Sequence, residues 1–284
     1  MSAATSKKNH WRAGFFVSHT LEQLLDAIDE RTAEFREDQG VDPVHDLRVS
    51  VRRLRALLSF LNPLVRSKVE QARGDIRVQA LPLGRLRDVD VFLEHMAEGK
   101  APVRVRDAAE LRRLLVERRQ ELAQDVLGQL PTREWTQPFD TIRKAVRKQS
   151  WRGPEHRRAQ KFCVDRLDDW WKSWLKNSRD VESLSFHALH QVRIRAKKLR
   201  YACEVSAELF WPDSQSAAAI IEGFKQFQDE LGAVNDIATA RAIVVDEGFQ
   251  LPEGFEHQVD LSTADALRAD MIAVGRFWRD EKST

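Results

Sequence analysis

The chain has 284 residues, of which 46 are Lys or Arg and 44 are Asp or Glu, so its net charge at pH 7 is only +2. This balance excludes a generally basic coat for nucleic acid, and a hydrophobic content of 42% excludes a disordered chain. No apolar run reaches the ~18 residues of a membrane-spanning helix, and the first residues lack the apolar segment of a signal peptide. Few Gly and Pro and many helix-forming residues predict an all-α protein.

The first half of the chain predicts a short tail followed by amphipathic helices. Residues 1–14 are the expected tail. The helices predicted from apolar periodicity lie at residues 16–35, 43–61, 65–81, 89–96 and 104–127. The second of them begins after Asp42, because Asp caps a helix N-terminus and Pro43 fits the first helical position. Pro82 and Gly84 predict the break before the fourth.

The second half repeats this organisation after a junction predicted at residues 128–138. Its predicted helices lie at residues 139–150, 155–176, 186–210, 216–231 and 262–277. We expect the fourth of these to break at Gly232 and to restart at Asn235. Two cysteines, Cys163 and Cys203, lie in apolar helical settings, which indicates buried free thiols in a reducing compartment and therefore the cytoplasm.

The helix predicted at residues 43–61 is apolar on one side and cationic on the other. His45, Arg48, Arg52 and Arg55 share one arc at helical spacing, and Arg53 lies on its flank. Like charges three or four residues apart repel one another, so helix stability alone does not explain this row. One interpretation is a cationic surface whose side chains lie over acidic neighbours; the other is a binding site for an anion.

The cationic pattern recurs 145 positions later in the chain. The residues that correspond to His45, Arg48, Arg52, Arg53, Leu54 and Arg55 are His190, Arg193, Lys197, Lys198, Leu199 and Arg200. A second pair of segments, residues 83–88 and 231–236, follows in the same order at a spacing of 148. Two matched segments in the same order predict an internal duplication with a period near half the chain.

The duplicated His-x-x-Arg helices and the Leu-Gly segments that follow them resemble the CHAD family, the conserved histidine α-helical domain. The resemblance extends over residues 16–277. It implies an all-α fold of two four-helix bundles related by a pseudo-twofold, with a basic groove between them. We therefore expect a single domain over residues 15–284, with lobes at 16–128 and 139–281.

The resemblance also implies that the protein binds inorganic polyphosphate on its basic helices. The binding residues that it implies are His45, Arg48, Arg52, Arg53, Arg55, His190, Arg193, Lys197, Lys198 and Arg200. Candidates of second rank near the opening are Arg85, Arg87 and Lys225. The second copy departs from the first, because Ala233 and Asn235 stand where the first has Arg85 and Arg87.

Two cationic rows that face one cleft would repel each other, and a polyanion would relieve the repulsion through charge-assisted hydrogen bonds. A helix rises ~1.5 Å per residue, so the row from His45 to Arg55 spans about 15 Å and suits an extended chain of phosphates better than one phosphate. Neighbouring arginines disfavour charged His45 and His190 until phosphate binds. We therefore expect affinity to rise as pH falls through the histidine range.

Other functions remain open at this point. Non-specific nucleic-acid binding through the same cations is the main alternative, although few aromatic residues accompany them, and a scaffold role is the third. We expect no metal and no cofactor, because no carboxylate or thiol joins His45 or His190 at ligand spacing. We expect no enzymatic activity, since no nucleophile signature or phosphate-binding loop is present. The predicted location is the cytoplasm, with association to polyphosphate granules; the oligomeric state stays open.

Overall fold

The computed structural model describes residues 10–103, 105–251 and 260–279. Within these residues the chain forms ten α-helices and no strand, so the all-α prediction is confirmed. In chain order the helices are α1 (Ala13–Glu37), α2 (Val41–Phe60), α3 (Ser67–Gln79), α4 (Leu81–Ala97), α5 (Ala108–Gln129), α6 (Arg133–Arg147), α7 (Ala159–Asn177), α8 (Phe186–Phe210), α9 (Gln215–Asp246) and α10 (Ser262–Val274). Short 3₁₀ turns follow α2, α7 and α10.

Helices α2 and α8 pack against each other at the centre of the fold. Their apolar faces repeat at the same spacing of 145 residues, and each of these side chains is buried. The buried positions are Val44, Leu47, Val51 and Leu54 on α2, and Leu189, Val192, Ala196 and Leu199 on α8. Because the apolar residues follow the helical period, the cations between them are left on the opposite side of each helix.

The remaining helices surround this pair. In the first half, α1 packs against α2, α4 packs against α2 and α5, and α3 packs against α6. In the second half, α8 lies between α7 and α9, and α9 packs against α10. Helix α6, which the sequence places at the start of the second lobe, packs against α1 and α3 of the first half. The internal duplication itself stays a prediction from the sequence.

The two halves differ where the sequence predicted a break in both. In the first half, α3 ends at Gln79 and α4 begins at Leu81, directly before Pro82. Proline disfavours a helical residue before it and cannot donate to the preceding turn, so the chain breaks here. In the second half Glu230 stands at the matching place, and α9 runs unbroken through Gly232. The break predicted at Gly232 is therefore wrong, because glycine alone does not interrupt a helix.

Helix α1 begins at Ala13, inside the range 1–14 that the sequence predicted as a tail. Residues 1–9 lie outside the described part of the chain, but Trp11 to Ala13 run beside the start of α7. The amide of Ala13 donates to the carbonyl of Arg157, and the amide of Ala159 donates to the carbonyl of Trp11, each at 2.8 Å. Ala13 is fully buried. Cys163 and Cys203 are buried free thiols, as predicted.

Candidate anion-binding cleft

Helices α2, α4, α8 and α9 enclose a cavity of about 670 Å³, here called the cleft. Most of the predicted binding residues line it: His45, Arg48, Arg52, Arg87, His190, Arg193, Lys197, Arg200 and Lys225. Four predicted residues do not line it, namely Arg53, Arg55, Arg85 and Lys198. A larger groove of about 890 Å³ between α3 and α6 has a mixed acidic, basic and apolar lining that includes none of the predicted residues.

The first-half wall of the cleft holds Arg48 against α4. Its Nη2 lies 3.2 Å from Oδ1 of Asp88, and both side chains are about one-third exposed, at 33% and 39%. The Cα of Gly84 lies under this guanidinium, since a Cβ built there would be 4.0 Å from Nε of Arg48. The short Leu-Gly segment of α4 thus leaves room for the arginine to lie along the helix.

The second-half wall holds Arg193 in the corresponding way. Its Nε donates to the backbone carbonyl of Gln228 at 3.1 Å, and a Cβ at Gly232 would lie 3.6 Å from its Nη2. His190 Nδ1 lies 3.0 Å from Oδ1 of Asn235, a hydrogen bond whose direction depends on the histidine tautomer. Each glycine of the duplicated Leu-Gly segments therefore lies against the arginine of the duplicated basic helix.

Polar contacts fix the cations where α2 meets α8. Arg52 Nε donates to the hydroxyl of Tyr201 at 3.3 Å. The guanidinium of Arg200 lies over the ring of Tyr201, 4.7 Å from its centroid, and its Nη1 donates to Glu204 at 2.6 Å. Glu204 also lies 3.6 Å from Nη2 of Arg53, which explains why Arg53 belongs to this contact and not to the cleft lining.

The cleft also contains carboxylates that the sequence did not assign to the site: Asp88, Asp229 and Asp236. Burial raises the pKa of Asp88, and the nearby Asp236 raises it further, whereas Arg48 opposes both effects. Asp88 and Asp236 are the last residues of the two duplicated Leu-Gly segments. The spacing of 148 residues between these segments was the signal in the sequence that could have predicted both aspartates in the cleft. Gln228, which is 3% exposed and accepts from Arg193 and Arg200, had no such signal.

Lys197 is a buried amine among the cations of the cleft. Burial, followed by the charges of Arg52 and Arg193, lowers the pKa of Lys197 from 10.5 to about 6. Burial, followed by the charge of Arg87, also lowers the pKa of His45. The unliganded cleft therefore resists further positive charge, and a bound anion would reverse that effect.

The cations that do not line the cleft lie on other surfaces. Arg85 is exposed on α4. Burial, followed by the charges of Arg73 and Arg55, lowers the pKa of Lys198, and Arg73 of α3 also acts on Arg55. Arg55, Arg73 and Lys198 therefore form a group of cations separate from the cleft.

The described residues hold neither a metal-binding cluster nor a membrane-spanning helix. Residues 10–103, 105–251 and 260–279 contain no group of three or more His, Cys, Asp or Glu side chains arranged to hold a metal ion. In the same part of the chain, every helix falls short of the length and apolarity that crossing a bilayer requires.

The chain matches the model of the CHAD domain family over residues 19–245, and it belongs to that family. Its fold is similar to the crystal structure of the CHAD domain from the plant Ricinus communis, with a TM-score of 0.71, 22% identity, and coverage of 94% of this chain and 86% of that one. It is also similar to PptA from Streptomyces chartreusis, with a TM-score of 0.53, 15% identity and coverage of 93% and 99%. At these identities the likeness concerns the fold. No curated protein matches the sequence.

Proposed function

We propose that the protein binds inorganic polyphosphate in the cleft, without catalysis. The observation that carries this proposal is the convergence of Arg48, Arg52, Arg193 and Lys197 from two different helices. The lining holds seven Lys and Arg side chains against three Asp, so the cleft keeps an excess of positive charge although the whole chain is almost neutral. An anion is the ligand that this arrangement would attract.

The shape of the cleft supports a chain of phosphates over a single one. The cationic row that lines the cleft on α2 runs from His45 to Arg52, about 10 Å at ~1.5 Å per residue, and a second row on α8 lines the same cavity. A compact anion would reach part of one row, whereas a linear polyphosphate would reach both. The planar guanidinium groups of Arg48, Arg52 and Arg193 each offer paired donors that match two oxygens of one phosphate.

The chemistry of the lining supports binding without catalysis. The described lining contains no Ser or Cys side chain that could act as a nucleophile. Its three carboxylates lie among cations, and Arg48 already binds Asp88. The arginine and lysine side chains of the lining are hydrogen-bond donors, which would orient and neutralise phosphates.

Single-stranded nucleic acid is the second candidate, because it carries the same phosphate charge. Non-specific single-strand binders also stack bases on exposed aromatic rings. In the cleft, Tyr201 is 2% exposed and Phe92 is 3% exposed, so neither ring offers a face to a base. This burial favours polyphosphate as the ligand.

The test is a competition titration on the intact chain. A fluorescent long-chain polyphosphate is displaced by unlabelled polyphosphate, single-stranded DNA or ATP at constant, moderate salt. We expect polyphosphate to compete far better than DNA of equal phosphate content, and ATP to compete weakly because it reaches only part of the rows. Equal competition by DNA would support the nucleic-acid function instead, and absence of polyphosphate binding would refute the proposal.

A further inference from the structure

A second group of cations lies outside the cleft, at the place where α2, α3 and α8 meet. It is here called the α3 surface, and its members are Arg55, Arg73, Arg77, Arg195 and Lys198. None of them lines the cleft. Three of the five, Arg73, Arg77 and Arg195, lie outside the duplicated pattern, so the sequence did not connect them with the site.

Hydrogen bonds place α3 beside the end of the cationic row on α2. The hydroxyl of Ser59 donates to the carbonyl of Arg55 at 3.1 Å, and Arg73 Nη1 donates to the same hydroxyl at 3.3 Å. Arg73 thus bonds Ser59, which lies one helical turn after Arg55 on α2, and Arg77 follows Arg73 one turn later on α3. Helix α8 packs against α2 from the other side and brings Lys198 toward Arg55 and Arg73.

Two of these cations, Arg55 and Lys198, have no carboxylate among the charged groups of the described chain that act on them. Burial, followed by Arg77 and Arg73, lowers the pKa of Arg55, and burial, followed by Arg73, Arg55 and Arg195, lowers the pKa of Lys198. Every charged group that acts on these two residues is therefore a cation. Glu70 accepts from Arg73. Arg55 Nε is buried and donates to no group within the described residues.

The surface is open where it adjoins Arg77. A Cβ built on Gly74, three residues before Arg77 on the same helix, would meet nothing within 4 Å. Glycine destabilises a helix interior relative to alanine, and no packing in the described structure requires it at this position. The bare backbone leaves space for a ligand over α3.

The α3 surface is continuous with the cleft. Arg52 lines the cleft, and Arg55 lies one turn further along the same face of α2. On α8, Lys197 lines the cleft and the adjacent Lys198 faces the α3 surface. A linear anion that leaves the cleft along α2 would therefore meet Arg55 and Lys198 next.

We infer that the α3 surface is a second polyanion-binding site, onto which a long polyphosphate chain continues after filling the cleft. This inference rests on the proposed function of the cleft. It predicts that the protein discriminates by chain length: short polyphosphate occupies the cleft alone, and long polyphosphate engages both sites. The gain in affinity comes from additional phosphate contacts, each of which releases counterions.

The test uses the double variant Gly74→Glu with Arg77→Glu, which places two carboxylates on the exposed side of α3. Gly74→Gln is the control for side-chain size, and the exposed pair Arg112→Glu with Lys176→Gln, on α5 and α7, is the control for the same change in net charge. Binding of tripolyphosphate and of long-chain polyphosphate is measured for each, together with the slope of log affinity against log salt.

We expect the double variant to bind long-chain polyphosphate about tenfold more weakly, which corresponds to ~1.4 kcal/mol, and to leave tripolyphosphate binding unchanged. Its salt slope for the long chain should become shallower by ~0.7 for each phosphate that no longer pairs with a cation. If long-chain affinity stays at the wild-type value while the wild type binds both ligands, the α3 surface is refuted and the cleft stands. If the wild type binds neither ligand, the cleft and the α3 surface are both refuted.

Discussion

Arg52 of α2 donates a hydrogen bond from Nε to the hydroxyl of Tyr201 on α8, with the two atoms 3.3 Å apart. This bond joins the two halves of the chain inside the proposed site. Tyr201 is 2% exposed, and its ring also supports Arg200. A single tyrosine therefore holds a cation from each cationic row in position.

Replacing Tyr201 by Phe should weaken the contact between the two halves of the chain, because it removes the hydroxyl that accepts from Arg52. The ring remains, so packing is kept, but the acceptor for Arg52 is removed. We expect the free energy of unfolding to fall by about 1 kcal/mol, the usual net contribution of one hydrogen bond. Denaturant titration measures this change. An unchanged free energy of unfolding would show that the hydrogen bond contributes nothing to stability.

Lys197 should make the stability of the unliganded protein depend on pH. Its folded-state pKa is about 6, well below its ordinary value of 10.5. Between these values the unfolded chain binds a proton that the folded chain does not, so the free energy of unfolding should rise with pH across this window. Lys197→Met removes the contribution. A wild type and variant with parallel stability–pH curves would contradict the assignment.

Binding should show the opposite trend with pH. A bound polyanion raises the pKa of Lys197 and of His45, so the complex takes up protons that the free protein lacks. Polyphosphate affinity should therefore increase as pH falls toward 6, and Lys197→Arg, which keeps its charge throughout, should show a flatter dependence. Calorimetry in two buffers of different ionisation enthalpy measures the proton uptake. Equal slopes for both proteins would exclude Lys197 as the source.

Stability and binding should change in opposite directions at Lys197. Replacing it by Met removes a desolvated amine from the neighbourhood of four arginines and leaves an apolar side chain of similar length. Such replacements of buried charged groups often stabilise a protein, by about 1–4 kcal/mol in documented cases. We expect a higher melting temperature near pH 6 together with weaker polyphosphate binding. Loss of both stability and binding would instead indicate a packing role for Lys197.

Two substitutions at Gly232 distinguish the gain in helix propensity from the loss of space beside Arg193. A methyl group there would make an ordinary contact with Arg193, since the built Cβ lies 3.6 Å from Nη2. Gly232→Ala should therefore raise the free energy of unfolding by roughly 0.5–1 kcal/mol and leave binding unchanged. Gly232→Leu should displace Arg193 and weaken binding while the helical signal persists. Equal affinity for the two variants would show that the position of Arg193 does not matter.

The sequence predicted which side of a helix each residue occupies, because apolar residues repeat at the helical period. Val51 and Ala196 are buried, and Arg52 and Lys197 line the cleft, because alternation along one helix separates the two sides. The duplicated spacing identified α2 and α8 as helices that share one cationic pattern, and both line the cleft. The buried side of each helix and the repeat shared by α2 and α8 can be read from the sequence alone, since helical geometry is local.

Contacts between helices were not predictable in the same way. Nothing in α3 indicates that Arg73 faces Arg55, because the partner of a helix is decided by tertiary packing. The continuation of α9 through Gly232 depended on Glu230 standing where the first half has Pro82, and the predicted break relied on the glycine. Asp88 lies beside Arg48 only because α4 packs against α2.

If cations from both halves bind one polyphosphate chain, reversing one charge in each half at the same time should abolish binding. Arg48→Glu with Arg193→Glu is compared with Arg112→Glu with Lys176→Glu, which changes the net charge equally on exposed helices. Arg48→Gln with Arg193→Gln guards against misfolding, and circular dichroism monitors helix content. Long-chain polyphosphate binding is then measured by titration. We expect the first pair to abolish binding, the glutamine pair to weaken it strongly and the exposed pair to retain it. Retained binding in a folded Arg48→Glu, Arg193→Glu protein would contradict a shared polyphosphate site.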